Sequence, residues 1–306
     1  MNPDFWVQVL LLAIILDLLI GEPPVFLHIV VWMGNLINFF VGSAPQRHRK
    51  LYGFFMAAFC AGTALLAGIV LESLEKGLPG MIIAAFFLKS TFSIRMLLAS
   101  ALGIKKDLED GKIEKVRDDL KTFVGRDTST LNAPQSASAV IESVGESFVD
   151  GILAPLFYFL LFGLPGALVY RMINTLDSMV GYRKEPFKEL GFASARLDDI
   201  ANWVPARLSL LFIFMASVFF GKPLEAVRTC ISDHGKTASP NSGWSMSAVS
   251  GALGVRLEKV GYHVLGAKYG EPQPVHIIKA VYIVVLSSFL VIAGIFLIGK
   301  VALVHL

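Results

Sequence analysis

Short polar segments of this 306-residue chain combine acids, arginines and hydroxyl residues, a combination suited to binding Mg²⁺ and phosphate. One of them, GRDTSTL, spans 125–131. The guanidinium of Arg126 can bind a phosphate or a carboxylate through two parallel N–H donors. Asp127 can bind Mg²⁺, which usually takes one or two carboxylates plus substrate phosphates. The segment also fits a helix start capped by Asp127 or Thr128, which gives Arg126 no role, and both interpretations stay open.

A second group of acids and amides lies in NTLDSMVGY (174–182) and ARLDD (195–199). Its candidate site residues are Asn174, Asp177, Arg196, Asp198 and Asp199. Paired carboxylates beside an arginine suit the handling of a Mg²⁺-bound phosphate. They suit structural ion pairs at a helix end equally well.

Three acids are spaced to share one face of a helix. Glu142, Glu146 and Asp150 stand at i, i+4 and i+8, and residues four apart are neighbours on a helix surface. Like charges in such a row repel, and a cation or a basic substrate group would relieve the repulsion. We therefore hypothesise a metal-binding or substrate-binding role for them.

The loop 234–244, HGKTASPNSGW, has the composition of an anion-binding loop. It is not a phosphate-binding loop of the Walker A type, because Cys230 stands where that pattern requires a glycine. The candidate anion-binding residues are His234, Lys236, Ser239 and Asn241.

Further polar side chains lie within apolar stretches. Lys89 and Arg95 interrupt one of them, so they must reach the interface or face a polar cavity, and phosphate binding is one hypothesis for this pair. Asp17 near the end of the first apolar run fits a turn cap or a site residue. A lone histidine in an apolar stretch, such as His28, is more often a hydrogen-bonded core residue than a ligand.

The composition requires a membrane environment for the elements that position these residues. Hydrophobic residues make up 55% of the chain and charged residues 17%, and about 20 apolar residues form a helix that crosses a bilayer. We predict an all-α, multi-pass membrane protein of one domain, 1–306, in a lipid bilayer. The net charge of +3 is too small to indicate nucleic-acid binding. The predicted membrane-embedded segments are 5–20, 52–71, 78–103, 151–170, 203–221 and 280–299.

Loop 104–147 should begin with a surface helix. Apolar residues at i, i+3, i+7 and i+10 form one stripe along it, opposite a charged face. They are Ile113, Val116, Leu120 and Phe123.

Sidedness raises a conflict. The basic residues at 47–50 place their loop on the cytoplasmic side. If 151–170 and 203–221 both crossed fully, the polar loop 171–202 would face away from the other polar loops, and one site could not use both sides. The Gly-Leu-Pro-Gly sequence at 163–166 offers a solution, since glycine and proline mark turns. We predict that 151–170 is broken or re-entrant and that 203–221 does not cross simply.

The motifs together resemble the adenosylcobinamide-phosphate synthase family (CbiB/CobD) of cobalamin biosynthesis. The resemblance covers nearly the whole chain in order. Its elements are DLLIGEP (17–23), KSTFSIR (89–95), GRDTS (125–129), ESVGESFVDGILAPLFY (142–158), NTLDSMVGY (174–182), ARLDD (195–199), PARL (205–208), SPNSGW (239–244) and GALGVRL (251–257).

This resemblance implies an ATP-dependent amide ligase with Mg²⁺. It would join an amino-alcohol phosphate, either aminopropanol phosphate or ethanolamine phosphate, to the propionate carboxylate of adenosylcobyric acid, so that a corrinoid is the second substrate. The product would be adenosylcobinamide phosphate. It further implies the cytoplasmic membrane, an active site on the cytoplasmic side, and other late cobalamin-assembly membrane enzymes as candidate partners.

Within that resemblance we assign roles as hypotheses. Mg²⁺ would be held by Asp177, Asp198 and Asp199, with Asp127 a further candidate. ATP or the amino-alcohol phosphate would be bound by Arg126, Lys89 and Lys236. Glu142 or Glu146 would take a proton from the attacking ammonium or recognise it as a cation. The alternative function is a corrinoid-binding membrane carrier or a scaffold for late cobalamin-assembly enzymes.

The sidedness hypothesis predicts that cysteines introduced at positions 185 and 236 are labelled by an impermeant thiol reagent from the same side of the membrane. Labelling of Glu185→Cys and Lys236→Cys only from opposite sides would contradict it.

Overall fold

The computed structural model describes residues 3–73, 77–125 and 127–304, with the side chains of 5–73, 77–125 and 127–298. Helices dominate it, as predicted, and a two-stranded hairpin is its one sheet within those ranges. The helices are α1 (Pro3–Leu19), α2 (Ile29–Gly42), α3 (Arg49–Ser73), α4 (Gly77–Lys89), α5 (Ile94–Glu109), α6 (Ile113–Phe123), α7 (Ala133–Phe148), α8 (Ala154–Val180), α9 (Phe187–Leu190), α10 (Phe192–Ala201), α11 (Trp203–Phe220), α12 (Pro223–Asp233), α13 (Ser242–Leu253) and α14 (Pro274–Val304). The hairpin consists of β1 (Leu257–Lys259) and β2 (His263–Leu265).

Five helical segments are long and apolar enough to cross a membrane, which confirms the multi-pass prediction. Their lipid-compatible character is visible on α3, where Leu66, Ile69 and Val70 remain at least half exposed. The segments are Arg49–Ser73, Gly77–Glu109, Ala133–Val180, Trp203–Phe220 and Pro274–Ile298.

The third predicted span, 78–103, lies within the candidate span Gly77–Glu109, but it is not one continuous helix. The structure divides it into α4 and α5. Ser90 Oγ donates to the carbonyl of Phe86 at 3.0 Å, and Thr91 Oγ1 donates to that of Leu88 at 2.7 Å. Hydroxyl groups that bind backbone carbonyls in this way compete with the helix ladder, so α4 ends at Lys89.

The predicted break within 151–170 is confirmed. Gly163 has φ 64° and ψ −155° inside α8, a conformation that glycine adopts at little cost. Pro165 follows two residues later and cannot donate a helical hydrogen bond. A π-helical turn, Val149–Leu153, precedes α8. Re-entry itself stays a prediction, as does the way α11 crosses the membrane.

The predicted surface helix is also confirmed, as α6. Its stripe residues Val116 and Leu120 are fully buried. The opposite face carries exposed ion pairs such as Lys121 with Asp118. Apolar periodicity of 3.6 residues is the strongest signal of a helix in a sequence, which explains this outcome.

The chain divides into two compact units. The first comprises residues 1–93, 154–202 and 294–306, and the second comprises 94–153 and 203–293. In the first, α8 packs against α2, α3 and α10, while α1 packs against α4. In the second, α13 packs against α7, α11 and α12, and the hairpin packs against α7. The single-domain expectation stays a prediction.

The contact between α3 and α8 tests the packing of the first unit. A Cβ at Gly68 would overlap the backbone of Pro165, whereas a Cβ at Gly62 of the same helix would meet open space. We expect Gly68→Ala to destabilise the protein by about 1–3 kcal/mol, since overpacked sites force the backbone apart. Thermal unfolding in detergent measures this. Gly62→Ala is the matched control and should unfold at or slightly above the wild-type temperature; equal melting temperatures for the two variants would contradict the close approach.

Candidate functional site

A cavity of about 340 Å³ in the second unit gathers side chains from four elements. We call it the Glu142 cavity. It brings together four predicted site residues, Glu142 and Glu146 from α7 and Lys236 and Ser239 from the loop before α13. The hairpin adds charged and aromatic side chains. Carboxylates and cations therefore share one small space, which suits a ligand that carries both charges.

Helix α7 supplies the acidic wall. The helix begins at Ala133 with Asn132 as its cap, and Asn132 and Gln135 bond each other's backbone N–H groups. The alternative that Asp127 or Thr128 caps this helix is therefore wrong. The side chain of Glu142 is 7% exposed, whereas Glu146, one turn later, is exposed.

A single hydroxyl group ties the hairpin to this acidic wall. Ser138 Oγ donates to Glu142 Oε1 at 3.0 Å and accepts from the backbone N–H of Glu258 at 2.7 Å. Ser138 is 2% exposed. The bond fixes Glu142 on its Oε1 side.

The loop between α12 and α13 forms the basic wall. Lys236 Nζ lies 2.6 Å from Asp233 Oδ1, and Lys236 stays about half exposed. Burial alone would raise the pKa of Asp233, but bonds from Lys236, Gly266 N–H and Ser232 lower it. Asp233 therefore stays ionised and holds Lys236 in place.

Ser239 lines the same cavity as Lys236 and organises the end of the loop. Its Oγ accepts from the backbone N–H groups of Asn241 at 3.2 Å and Ser242 at 3.5 Å. Its carbonyl accepts from Thr237 Oγ1 at 2.8 Å. The predicted anion-binding loop is thus an ordered turn leading into α13.

The hairpin contributes the residues that sequence reasoning missed. Lys259, Tyr262 and His263 line the Glu142 cavity. Lys259 and His263 are register partners, and Lys259 Nζ lies 5.1 Å from the centre of the Tyr262 ring. His263 Nε2 lies 3.7 Å from Glu142 Oε2. The one signal in the sequence is Gly261, a turn residue between two short runs, with φ 76° in the structure.

A smaller cavity of about 100 Å³ adjoins the first. The two share Glu142, Glu146 and Lys259. Its other wall includes the stretch 123–125. Arg126, which follows that stretch, lies outside the described residues.

Asp127 is exposed and makes a local turn. Its Oδ1 accepts from the backbone N–H of Ser129 at 2.9 Å and from Ser129 Oγ at 2.7 Å. These bonds lower the pKa of Asp127. The carboxylate is thus held ionised by its own loop.

The first unit holds a separate polar group around Asp198. Asn202 Nδ2 donates to Asp198 Oδ2 at 3.0 Å and Asn174 Nδ2 lies 3.4 Å from Asp198 Oδ1. Tyr170 donates to Asn202 Oδ1 at 2.9 Å. Burial, followed by the charge of Asp177, raises the pKa of Asp198 well above the ordinary carboxyl range. We call these residues the Asp198 network.

The Asp198 network fits a magnesium ion in part. Among the residues that the structure describes, no group of three His, Cys, Asp or Glu side chains is arranged as a metal site. Mg²⁺ commonly needs only one or two carboxylates with phosphate and water, and Asp177 with Asp198 provide two. The third predicted ligand, Asp199, instead pairs with Arg196 at 3.2 Å, an exposed pair within one helical turn.

Lys89 belongs to a buried cluster of opposite charges. It is 3% exposed, with Nζ 3.0 Å from Glu22 Oε2 and 3.8 Å from Asp17 Oδ1. His28 Nε2 lies 2.8 Å from Glu22 Oε2, and His28 Nδ1 accepts from Val30 N–H at the start of α2. Burial would raise the pKa of Glu22, but His28, Ser93 and Lys89 lower it to about 2. The neighbours of Lys89 are thus carboxylates, while phosphate binding stays a hypothesis.

The remaining candidates lie apart from the described lining of the Glu142 cavity. Arg95 is exposed near the start of α5, and Asp150 lies in the π-helical turn. His234 stacks on Trp244 with ring centres 4.3 Å apart. Asn241 is buried, and its Oδ1 lies 3.4 Å from Arg207 Nη1.

Comparison with known proteins gives consistent matches over most of the chain. The family model described as "CobD/Cbib protein" matches residues 10–284. "Cobalamin biosynthesis protein CobD" of Dehalococcoides mccartyi is 42% identical, over 84% of this chain and 86% of that protein. "Probable cobalamin biosynthesis protein CobD" of Methanothermobacter thermautotrophicus is 42% identical, over 85% and 86%. The protein of the same name from Pyrococcus furiosus is 36% identical, over 94% and 98%.

No solved structure matches the chain. The family model and the relatives nevertheless match most of the chain, including most of both compact units. The chain is a multi-pass helical membrane protein that belongs to the CobD/CbiB family of cobalamin biosynthesis proteins.

Proposed function

We propose that this protein is an amide ligase of the cytoplasmic membrane that uses ATP and Mg²⁺. It joins an amino-alcohol phosphate to the propionate carboxylate of adenosylcobyric acid and yields adenosylcobinamide phosphate. The observation that carries the proposal is the Glu142 cavity, because an amino-alcohol phosphate carries an ammonium at one end and a phosphate at the other. Family membership supports the pathway.

The cavity offers a complement to each end of such a ligand. Glu142 and Glu146 would attract the ammonium, while Lys236 and Lys259 would attract the phosphate. Hydrogen bonds that involve ionised groups are about twice as strong as neutral ones. A neutral amino alcohol without its phosphate would lose the second set of contacts, so the cavity favours the phosphorylated form.

A carboxylate and an ammonium do not condense unaided, so the carboxylate must be activated. ATP with Mg²⁺ would supply a phosphoryl group that makes the carboxyl carbon reactive. Asp177 and Asp198 are the residues that would hold the Mg²⁺. The asparagines bonded to Asp198 orient its carboxylate, and orienting partners of this kind support metal affinity.

The reaction is tested with the purified protein in detergent. Adenosylcobyric acid, ATP and Mg²⁺ are mixed with aminopropanol phosphate or ethanolamine phosphate, and mass spectrometry detects the product. We expect an amide that forms only with ATP. Corrinoid binding without product under all these conditions would contradict the ligase and favour the carrier.

Asp198→Asn tests the metal role. We expect turnover to fall on the order of 100-fold, as when one charge-stabilising group is lost at an active site. Asp118→Asn, on the exposed face of α6, is the matched control and should keep wild-type turnover. Full turnover in Asp198→Asn would remove the metal assignment.

The same variant has a pH signature. Because the folded state raises the pKa of Asp198, its ionised form costs stability once the pH rises above the ordinary carboxyl range. Asparagine mimics the protonated form at every pH. The melting temperature of Asp198→Asn relative to wild type, measured without Mg²⁺, should therefore increase between pH 5 and pH 8. A difference that does not change with pH would contradict the raised pKa.

A further inference from the structure

We propose that Glu142 and His263 together hold the primary ammonium group of a zwitterionic phosphate ester, and that His263 Nε2 takes its proton. The inference rests on the proposed function and adds a catalytic residue to it. His263 lies on the hairpin, in a segment that none of the motifs above includes. Its role follows from the ring nitrogen Nε2, which has no hydrogen-bond partner among the described residues.

His263 Nε2 is buried and unused. The side chain is 8% exposed, and Nε2 has no hydrogen-bond partner among the described residues. Buried polar atoms without a partner are rare, and each asks for an explanation. His263 lines the Glu142 cavity together with Glu142, so a ligand bound there is the candidate partner for this nitrogen.

The distance between the two groups fits one nitrogen atom. His263 Nε2 and Glu142 Oε2 are 3.7 Å apart, too far for a hydrogen bond between them. A nitrogen about 2.8–3.0 Å from both atoms satisfies ordinary hydrogen-bond geometry with this separation. A primary ammonium has three N–H donors, so it can donate to the carboxylate and to the imidazole at once. The imidazole accepts in the tautomer that carries its proton on Nδ1.

The surrounding bonds hold this pair in place. Ser138 engages the other oxygen of Glu142 and, through Glu258 N–H, the strand opposite His263. One hydroxyl therefore ties the carboxylate of Glu142 to strand β1, which pairs with the strand that carries His263. Such positioning by neighbouring hydrogen bonds is what a preorganised site requires.

The hairpin also provides for the phosphate of the same ligand. Lys259 is the register partner of His263, and directly opposed side chains lie on one face of a hairpin with Cβ atoms about 5 Å apart. Lys259 and Lys236 both line the cavity. A molecule that carries an ammonium and a phosphate would therefore meet opposite charges for both groups in this cavity.

Among the residues that the structure describes, the charged and titratable groups that line the cavity with His263 come from three elements. Glu142 and Glu146 belong to α7, Lys236 belongs to the loop before α13, and Lys259 and Tyr262 belong to the hairpin. Glu142 is the acid nearest to the imidazole, and it would stabilise the imidazolium that forms.

The step moves two protons from the ammonium, one to His263 and one to the departing phosphate. The ammonium gives one proton to His263 Nε2 and becomes a neutral amine. The amine nitrogen bonds to the carbonyl carbon of a phosphorylated carboxyl group, the carbon–oxygen bond to phosphate breaks, and the second proton leaves with the phosphate. His263 then releases its proton to solvent.

His263→Gln tests the proton transfer. Glutamine can accept a hydrogen bond from the ammonium but cannot take its proton. We expect kcat at pH 7 to fall by about 100- to 10,000-fold, the usual contribution of a general base, with a much smaller change in KM for ethanolamine phosphate. His276→Gln, a histidine at the start of α14 away from the cavity, is the matched control and should keep wild-type kcat.

The pH profile separates loss of a base from loss of structure. An alkyl ammonium has a pKa of about 10, so the residual rate of His263→Gln should rise about tenfold per pH unit from pH 7 to pH 9. The wild-type rate should rise less. A variant with wild-type kcat, or with a low rate that does not rise with pH, would overturn the role of His263.

A binding experiment keeps the proposal testable if that variant does not fold. Ethanolamine phosphate and ethyl phosphate share the phosphate, and only the first carries an ammonium. We expect wild-type protein to be stabilised against heat at lower concentrations of ethanolamine phosphate, and Glu142→Gln to lose this preference. Equal stabilisation of wild-type protein by both compounds would overturn the ammonium site. A clear preference without amide formation would instead support the site and contradict the ligase.

Discussion

Lipid offers no hydrogen bonds, so the polar groups that this chain carries into apolar surroundings depend on partners within the protein. The cluster around Lys89 shows the constraint most directly, since a fully buried Asp17 and a buried ammonium lie on different helices of the first unit. Removing one partner of such a cluster leaves an uncompensated charge. The constraint also explains the serines of α13, whose hydroxyls bond carbonyl groups in the second unit. The way the helices pack in this fold therefore also determines which polar groups find hydrogen-bond or ionic partners.

The Glu142 cavity follows from the same constraint. Its acids sit on a helix whose start is fixed by the Asn132 cap, and its bases sit on a turn fixed by Asp233. The hairpin closes the cavity, although its strands are three residues long. Stability for so short a hairpin comes from its contacts with α7, since an isolated pair of strands is marginal in water. The scaffold thus holds charged groups in place before any ligand binds.

Periodicity and turn residues made the larger features predictable. The stripe of α6 and the break at Gly163 both follow from local rules, as does the apolar length of the spans. The division of 78–103 depends on serine and threonine hydroxyls bonding to the carbonyls of α4, which hydrophobicity does not report. The pairing of Glu142 with His263 joins residues 121 positions apart through a hairpin too short to show a pattern. The sequence indicated the acids and the loop of the cavity, whereas the hairpin wall is evident only in the three-dimensional structure.

Three charged side chains form the wall between the two cavities of the second unit. Glu142, Glu146 and Lys259 face both spaces, so a molecule that neutralises one of them changes the electrostatic potential on the other side. A ligand bound in one cavity would consequently change the affinity of the other cavity for its ligand, without contact between the two ligands. Such coupling is reciprocal, since each ligand must alter the affinity of the other by the same factor. Charge on three shared side chains is thus sufficient to couple the two cavities, without a moving lid.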